Sequence, residues 1–323
     1  MKMRLPLLAV IALHAGFFVC TTAHAAFPEK PIRVVVPTAV GGPSDLCIRA
    51  VGEAMTATLG QSLVIENVTG ATGNIGLQRV AAAAADGYTL SQASAANTAN
   101  QAARPNASFD ILNGLKPVGK VCVAALTLAV SPALGVKTLD EFIRHAKANS
   151  GKLTYASIGQ GSSQHLVGEM FAAAIGVNMV HVPFRGGEAA AATDIAGGRV
   201  QMSFMAGAKP FMDGGLVVGL ATTNQEAWPP IPALPPIGKT ALPGFSYNGW
   251  NGLFAPKGTP DAVVQRLSEA LVRALQTDKV RAAILALGNQ PGPGTPDELA
   301  SQVKSDMTKF RKIIDDRRLT FAE

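Results

Sequence analysis

Short apolar runs with strand character alternate with segments of helical spacing along most of this 323-residue chain. Residues 32–36 have the composition of a buried strand and residues 63–66 that of a strand, and each precedes a glycine-rich turn that leads into a helix-forming segment. Strands that alternate with helices form parallel sheets with helices packed on their faces. The alternation therefore predicts an α/β fold of the doubly wound kind.

Two glycine-rich turns occupy special places in this pattern. The first is PTAVGGPSD at residues 37–45, and the second is SIGQGSSQH at residues 157–165. In doubly wound sheets, ligands bind beyond the carboxyl ends of the strands, where such turns enter helices. Glycines allow close backbone approach, and the unpaired N–H groups of the helix attract an anion. Each turn is thus a candidate carboxylate or phosphate site, although a turn of this composition more often only caps its helix.

The first 25 residues have the pattern of an export signal. Lys2 and Arg4 precede an apolar run, and the small-x-small sequence Ala23-His24-Ala25 follows it. This pattern predicts cleavage by signal peptidase after Ala25. A membrane anchor is the weaker interpretation, because the apolar run is shorter than the ~20 residues that a span needs. We expect a soluble protein exported to the periplasm, with residues 1–25 removed.

Charge and composition narrow the class of ligand. Removal of Lys2 and Arg4 lowers the formal net charge from +6 to +4, and the chain has no cluster of basic residues and only 6% aromatic residues. These features argue against nucleic acid as a partner and fit a small anionic ligand. Cys47 and Cys122 are the cysteines left after cleavage. They could pair in an oxidising compartment, but two isolated buried thiols are at least as good an interpretation, so both alternatives stay open.

Signatures of cofactor, metal and catalytic chemistry are missing from the sequence. There is no phosphate-binding G-x-x-x-x-G-K-[ST], GATGNIG lacks the dinucleotide spacing, and GQGSSQH lacks the nucleophile elbow G-x-S-x-G. No H-E-x-x-H or Cys/His cluster is present, so we expect no metal, no cofactor and no catalytic residue. The enzymatic alternative is an exported hydrolase that uses Ser162 or Cys47 with a nearby base such as His165. A purely structural envelope protein would leave two anion-binding turns without a purpose.

Five segments, in the order in which they occur, resemble one protein family. They are PEKPIRVVVPTAVGGPSDLCIRAV, LVIENVTGATGNIGLQRVAAAAADGYTL, LTYASIGQGSSQHLVGEMF, VHVPFRGGEAAAATDIAGGRVQMSF and GFSYNGWNGLFAPKGTPDAVVQRL. Together they are similar to the Bug family, the extracytoplasmic solute receptors related to the tripartite tricarboxylate transporters. The resemblance runs from about Phe27 to the C-terminus, and it rests on the combination of segments rather than on any one of them.

The resemblance implies a two-lobed α/β fold of the type II periplasmic-binding-protein class, which closes on its ligand like a clamp. It implies one lobe made of residues 26–123 and 251–323 and a second lobe made of residues 124–250. The two glycine-rich turns are expected to face each other across the cleft and to hold a small carboxylate through backbone N–H and hydroxyl groups. The implied partner is a membrane transporter or a sensor kinase, and we expect a monomer.

The candidate ligand-binding residues come from the two turns and from the segments that follow. They are Thr38, Val40, Gly41, Gly42 and Asp45 in the first turn, Ser157, Gly159, Gly161, Ser162, Ser163 and His165 in the second turn, and Arg185 and Ser203 beyond it. Asp45 either orients the first turn or interacts with the helix dipole, and His165 either orients the second turn or packs. Arg185 either pairs with a second carboxylate or forms a surface salt bridge. Thr38 stands where the family usually has an aromatic residue, so the identity of the carboxylate is left open.

Overall fold

The computed structural model describes residues 27–104, 109–184 and 186–321, and the predicted signal peptide lies outside them. The strands of the described residues are β1 Ile32–Val36, β2 Leu63–Asn67, β3 Thr89–Ser94, β4 Leu115–Ala124, β5 Thr127–Val130, β6 Thr154–Ser157, β7 Val180–Pro183, β8 Met202–Met205, β9 Val218–Thr222, β10 Gly249–Pro256 and β11 Gln290–Pro291. The helices are α1 Pro43–Leu59, α2 Asn74–Ala81, α3 Ala95–Ala103, α4 Ile111–Gly114, α5 Leu139–Ala148, α6 Ser163–Ile175, α7 Gly187–Ala196, α8 Ala208–Asp213, α9 Asp261–Gln276, α10 Asp278–Ala286 and α11 Pro296–Arg317. None of these helices combines the length and the apolar character needed to cross a membrane.

The strands form two mixed sheets. The first has the order β11-β4-β10-β3-β1-β2, and the second has the order β7-β6-β8-β5-β9. β1 runs parallel to β2 and β3, and β6 runs parallel to β7 and β8, so the predicted α/β fold is confirmed. β4, β5 and β10 make antiparallel pairs, which the alternation did not predict. These strands lie where the chain crosses between the sheets, and there β4 pairs with β10 while β5 pairs with β8 and β9.

The chain passes between the two sheets through strands. β4 ends at Ala124 in the first sheet, and β5 begins at Thr127 in the second sheet. β10 pairs with both β3 and β4 and so brings the chain back to the first sheet. The first connection is residues 125–126, and the second joins β9 to β10 through residues 223–248. Two crossings of this kind are a suitable place for a hinge between two units.

Each sheet buries apolar side chains against the helix that follows its first parallel strand. Val34 of β1 and Ile48 of α1 are fully buried in one cluster, and Tyr155 of β6 and Phe171 of α6 are fully buried in another. Complete burial of a side chain of this size stabilises the fold by roughly 1.5–3 kcal/mol. This packing fixes the position of each helix N-terminus relative to the strand end that precedes it.

The long helix α11 contacts both halves of the molecule. It begins at a capping box in which Thr295 and Glu298 bond each other's backbone N–H groups, and it packs along α3 and β4. Near its other end, Nε of Arg317 donates a hydrogen bond to Oε2 of Glu169 on α6 at 3.0 Å. The C-terminal helix therefore joins the first sheet to the helix that carries the second glycine-rich turn.

Helix α3 is an element that the sequence pattern did not predict. Its sequence AANTANQAA combines alanines with four polar residues, and these four, Asn97, Thr98, Asn100 and Gln101, are all buried. The side chain of Gln101 is satisfied by the carbonyl of Phe109 and by the N–H of Ile111. α3 is buried because it lies between the first sheet, α11 and α6, so its surroundings rather than its composition determine its burial.

Candidate functional site

One buried carboxylate organises the first glycine-rich turn. Asp45, in the first turn of α1, is fully buried. Its Oδ2 accepts hydrogen bonds from the N–H of Gly41 and from Nε of Arg49, both at 2.9 Å. Its Oδ1 accepts one from Nδ2 of Asn67 at 2.9 Å, and the same amide donates to the carbonyl of Thr38 at 3.0 Å. Asp45 therefore links the turn after β1 to the end of β2.

These contacts keep Asp45 ionised. Burial opposes its ionisation, but the hydrogen bonds from Arg49, Gly41 and Asn67 outweigh burial, so the pKa of this carboxyl lies below its ordinary value. Of the two roles expected for Asp45, orienting the turn is the one that its contacts match. The i,i+4 spacing of Asp45 and Arg49 could have been read from the sequence, whereas the approach of Asn67 depends on the pairing of β1 with β2.

The outer surface of the first turn is open. Gly41 has a φ of +80°, and no described atom lies within 4 Å of the position that a Cβ would take there. Gly42 is the N-cap of α1, and the side chain of Val40 is 72% exposed. Because Gly41 gives its N–H to Asp45, the free donors at this turn are the unpaired N–H groups at the start of α1.

The second turn is built in the same way, with hydroxyls and an imidazole in place of the carboxylate. Oγ of Ser162 accepts the N–H of His165 at 3.3 Å and donates to the carbonyl of Gly159 at 2.7 Å. The N–H of Gly161 donates to Nδ1 of His165 at 3.1 Å. Oγ of Ser157 accepts the N–H of Gly159 at 3.1 Å and lies 2.9 Å from the carbonyl of the same residue. These groups hold the turn in shape, which leaves the N–H groups at the start of α6 as free donors.

A pair of stacked histidines lies beneath the second turn. The ring centroids of His165 and His181 are 3.7 Å apart, and the rings are 6° from parallel. Nε2 of His181 lies 2.6 Å from Oγ of Ser157. Burial lowers the pKa of both histidines to about 4, and for His181 the adjacent His165 adds to the effect. Both rings are neutral at neutral pH, and a neutral His165 can accept the N–H of Gly161, which matches the expected role of His165 in orienting its turn.

The end of α3 packs directly against the second turn. A Cβ built on Gly161 would lie 2.8 Å from Cβ of Ala103 and 3.2 Å from Nη1 of Arg104. The sequence led us to expect a ligand beside Gly161, and the structure places the end of α3 on the side to which a Cβ of Gly161 would point. Gly159, with a φ of +141°, is the glycine of this turn that faces open space.

Arg104 is a candidate residue that the sequence analysis missed. Its Nη1 is buried and has no hydrogen-bond partner among the described residues. A buried guanidinium nitrogen of this kind needs an acceptor, and an anion is the partner that compensates its charge as well. Arg104 lies at the end of α3, so the failure to predict this helix also hid the residue.

The remaining candidates have other surroundings. Oγ of Ser203 on β8 is buried and donates to a backbone carbonyl of β6 at 3.0 Å. Ser163 forms a hydrogen bond with the hydroxyl of Tyr247. Oγ1 of Thr38 is buried without a partner among the described residues. Arg185 lies outside the described residues.

A third turn, after β8, holds a carboxylate that belongs to the protein itself. Glu188 on α7 accepts the N–H of Ala206 at 2.7 Å and the N–H of Gly207 at 2.9 Å. Nε2 of Gln164 donates to the same carboxylate at 3.0 Å. The fold thus contains an internal example of backbone N–H groups at a strand end that bind a carboxylate.

The two turns are not bonded to each other in the described part of the chain. We find no hydrogen bond or ion pair between residues 37–45 and 157–165. The ring of Phe321 beyond α11 meets His165 edge-on at 5.6 Å, so the C-terminus also borders the second turn. Within the same described residues, no cluster of His, Cys, Asp or Glu side chains could hold a metal ion.

The sequence matches a family of receptors. A family model described as "Tripartite tricarboxylate transporter family receptor" matches residues 47–319. Protein BugT of Bordetella pertussis is 31% identical over 318 residues, which cover 95% of this chain and 96% of BugT.

Solved structures with the same fold include ligand complexes. The periplasmic binding protein BugD is 30% identical and has a TM-score of 0.75 over 90% of this chain and 98% of its own. MatC from Rhodopseudomonas palustris, with bound malate, is 31% identical with a TM-score of 0.75 over 89% of this chain and 100% of its own. A second R. palustris protein, solved with adipate, is 29% identical with a TM-score of 0.77 over 90% of this chain and 97% of its own.

The chain has two sheets with glycine-rich turns at their strand ends, and it superposes on these structures. These features define a two-lobed solute-binding protein. The expected fold class is therefore confirmed. The family match covers most of the sequence and agrees with the order of the segments quoted above. The chain belongs to the Bug family of tripartite tricarboxylate transporter receptors.

Proposed function

We propose that this chain is an exported periplasmic receptor that captures a small carboxylate without reacting with it and presents it to a membrane transporter or a sensor kinase. The observation that carries the proposal is the pair of βα turns, one in each sheet, whose internal hydrogen bonds leave helix N-terminal N–H groups free. The malate and adipate complexes of two structural neighbours support a carboxylate as the ligand class. The proposal includes the lobes expected from the sequence, with residues 124–250 as the second lobe and cleavage after Ala25.

The free donors define where the carboxylate would bind. In the first turn they are the N–H groups of Ser44 and Asp45 and the hydroxyl of Thr38, which has no partner among the described residues. In the second turn they are the N–H groups of Ser163 and Gln164 at the start of α6. Gly41, Gly159 and the other turn residues predicted from the sequence would act mainly by shaping these donors.

Arg104 points to a ligand with a second anionic group. The guanidinium lies against the second turn, at the contact between α3 and Gly161. A monocarboxylate held by the two helix N-termini would leave the buried Nη1 without an anion, whereas a dicarboxylate can satisfy both places. We therefore favour a dicarboxylate within the carboxylate class.

The affinity expected from these contacts is that of a scavenging receptor. Charge-assisted hydrogen bonds contribute about 1.5–3 kcal/mol each. Four or five of them, less the cost of immobilising the ligand and closing the lobes, leave roughly −8 kcal/mol, which corresponds to a micromolar Kd.

The hydrolase alternative has one observation in its favour. Ser157 and His181 form a serine–histidine contact of 2.6 Å, a distance suited to a nucleophile and its base. However, the side chain of Ser157 is only 1% exposed, and its oxygen already accepts the N–H of Gly159. No carboxylate hydrogen-bonds to His181 among the described residues. The contact therefore fits a structural role better than a catalytic one.

A thermal-shift panel tests the proposed function. Mature protein purified from the periplasm is heated with malate, adipate, benzoate, glucose and putrescine, each at a saturating concentration. We expect the Tm to rise with dicarboxylates, because a ligand that binds the folded state stabilises it by mass action. A rise only with the neutral sugar or the diamine would contradict the proposal. Hydrolysis of an ester panel that is lost in Ser157→Ala would favour the enzyme instead.

A further inference from the structure

Two buried sulfur atoms face each other behind the first glycine-rich turn. Sγ of Cys47 on α1 lies 2.7 Å from Sγ of Cys122 on β4, and both side chains are fully buried. A disulfide bond is about 2.04 Å long, so the two sulfurs need to approach by less than 1 Å to bond. The sequence left a pair and two isolated thiols as alternatives; in the structure the two cysteines are not bonded, and their sulfur atoms are in direct contact.

The neighbours of the two sulfurs hold them in this arrangement. Nδ2 of Asn289 donates to Sγ of Cys47 at 3.3 Å, and Nδ2 of Asn251 donates to Sγ of Cys122 at 3.4 Å. Each sulfur atom thus contacts one side-chain amide donor and the other sulfur atom. In the dithiol state, the hydrogen bond from Cys122 lowers the pKa of Cys47, whereas burial raises the pKa of Cys122.

We propose that Cys47 and Cys122 form an intramolecular disulfide in the exported protein, which ties the first turns of α1 to strand β4. This inference rests on the proposed function, because it needs the oxidising compartment to which a periplasmic receptor is exported. The bond closes a loop between residues 75 positions apart in the chain. It joins the helix that bears the first ligand turn to the strand that leads into the second sheet.

The oxidant is a protein disulfide or glutathione disulfide of the periplasm. The thiolate of one cysteine attacks the oxidant's disulfide, forms a mixed disulfide and releases one thiol of the oxidant. The thiolate of the other cysteine then attacks the mixed disulfide, which forms the Cys47–Cys122 bond and releases the oxidant's second thiol. Two electrons pass to the oxidant, and the two thiol protons balance its reduction to the dithiol. Because both sulfurs are buried in the folded protein, this exchange takes place during folding.

The bond would also stabilise the first turn through Asn251. Oδ1 of this residue accepts hydrogen bonds from Oγ of Ser44 at 2.7 Å and from Nε2 of Gln92 at 2.8 Å, while its Nδ2 faces Cys122. Ser44 belongs to the first turn of α1, which supplies free N–H donors to the proposed ligand site. The disulfide and this amide therefore fix the same helix start from two sides.

Thiol counting tests the inference. The protein is purified from the periplasm, denatured without reductant and treated with a maleimide, and a second sample is reduced first. We expect no label on Cys47 or Cys122 in the first sample and one label on each in the second, as located by peptide mass spectrometry. Labels on both residues before reduction would overturn the inference. Any label on Cys20 reports an uncleaved signal and is counted separately.

A stability series provides the second readout. Reduction of the wild-type protein, Cys47→Ala and Cys122→Ala should each lower the Tm by about 5–10 °C, because each removes the same long-loop constraint. The double variant should match the single variants, and reductant should no longer change its Tm. Additive losses with no effect of reductant would indicate two packed thiols. The malate and adipate shifts, measured on the same preparations, report the proposed function independently, so either claim can fail while the other holds.

Discussion

The absence of a side chain at Gly161 allows the end of α3 to pack against the second turn. The φ of Gly161 is +72°, and a Cβ there would lie 2.8 Å from Cβ of Ala103. Gly161→Ala should therefore combine left-handed strain of about 1–2 kcal/mol with an overpacking cost of about 1–3 kcal/mol. We expect a fall in the free energy of unfolding, measured in urea, together with weaker binding of malate or adipate.

Gly176 offers the matched control for this variant. It ends α6 with a φ of +70°, and no described atom lies within 4 Å of its Cβ position. Gly176→Ala should show the backbone strain alone and leave ligand affinity unchanged. Equal stability losses in the two variants would mean that α3 does not press on the second turn.

A substitution at Arg104 should change the selectivity of the protein for dicarboxylates over monocarboxylates. Arg104→Gln removes the charge but keeps a polar side chain of similar length. Loss of one charge-assisted contact of about 1.5–3 kcal/mol should weaken binding of malate or adipate by roughly 10–150-fold. The corresponding monomethyl ester should lose much less, as measured by calorimetry. Lys152→Gln, an exposed change with the same loss of charge, should leave both affinities unchanged, and a loss in Arg104→Gln that is equal for acid and ester would contradict the assignment.

At the residue scale, the sequence indicated which residues belong to the two glycine-rich turns better than it indicated what each of them does there. The members of both turns were found because glycine-rich sequences follow strand-like runs, and the role of Asp45 could be narrowed by its i,i+4 spacing to Arg49. The partners from other strands and helices, such as Asn67, His181 and Arg104, could not be found. Their approach depends on strand register and on the packing of α3, which no local pattern encodes.

At the scale of elements, the histidine stack makes the stability of the packing between β6, β7 and the start of α6 dependent on pH. The pKa values of His165 and His181 are about 4 in the folded protein, below the ordinary value of 6.5. Between these values the unfolded chain binds more protons than the folded one, so stability rises with pH. The free energy of unfolding should therefore fall by about 2–5 kcal/mol in total as the pH drops from about 6.5 to about 4. Below about pH 4 the two histidines should no longer change the free energy of unfolding with pH.

Urea unfolding at a series of pH values measures this dependence. His181→Gln removes one ring of the stack and should flatten the slope, whatever its effect on stability at pH 7. His145→Gln, on α5 and outside the stack, is the control that removes one histidine without touching the second turn. A slope that is the same in wild type and His181→Gln would contradict the coupling.

Strands and helices with a strong hydrophobic pattern could be predicted from the sequence. Those that form because of the elements packed around them could not. β1 is apolar apart from Arg33 because it lies inside the first sheet between β2 and β3, and α1 follows it as expected. The four polar residues of α3 are buried, so its pattern of polar and apolar residues does not indicate a packed helix. The antiparallel strands β4 and β5 escaped prediction because no turn-rich or helical segment separates them.

At the scale of the whole molecule, the two sheets should move relative to each other when ligand binds. The chain crosses between them near β4, β5 and β10, and hinge closure of two lobes is the expected motion for this architecture. Small-angle scattering should therefore show a smaller radius of gyration with saturating malate or adipate than without it. An unchanged profile in the presence of proven binding would indicate a rigid site.

The central claim, that the two turns recognise a carboxylate by its charge, is tested most directly by the ratio of two dissociation constants. Calorimetry compares whichever of malate and adipate gives the larger thermal shift with its dimethyl ester, at the same pH and salt concentration. Helix N-termini and a guanidinium such as that of Arg104 attract negative charge, and the ester has the same carbon skeleton without that charge. The account predicts a micromolar Kd for the acid and at least 100-fold weaker binding of the ester. Equal dissociation constants for the two compounds would contradict it.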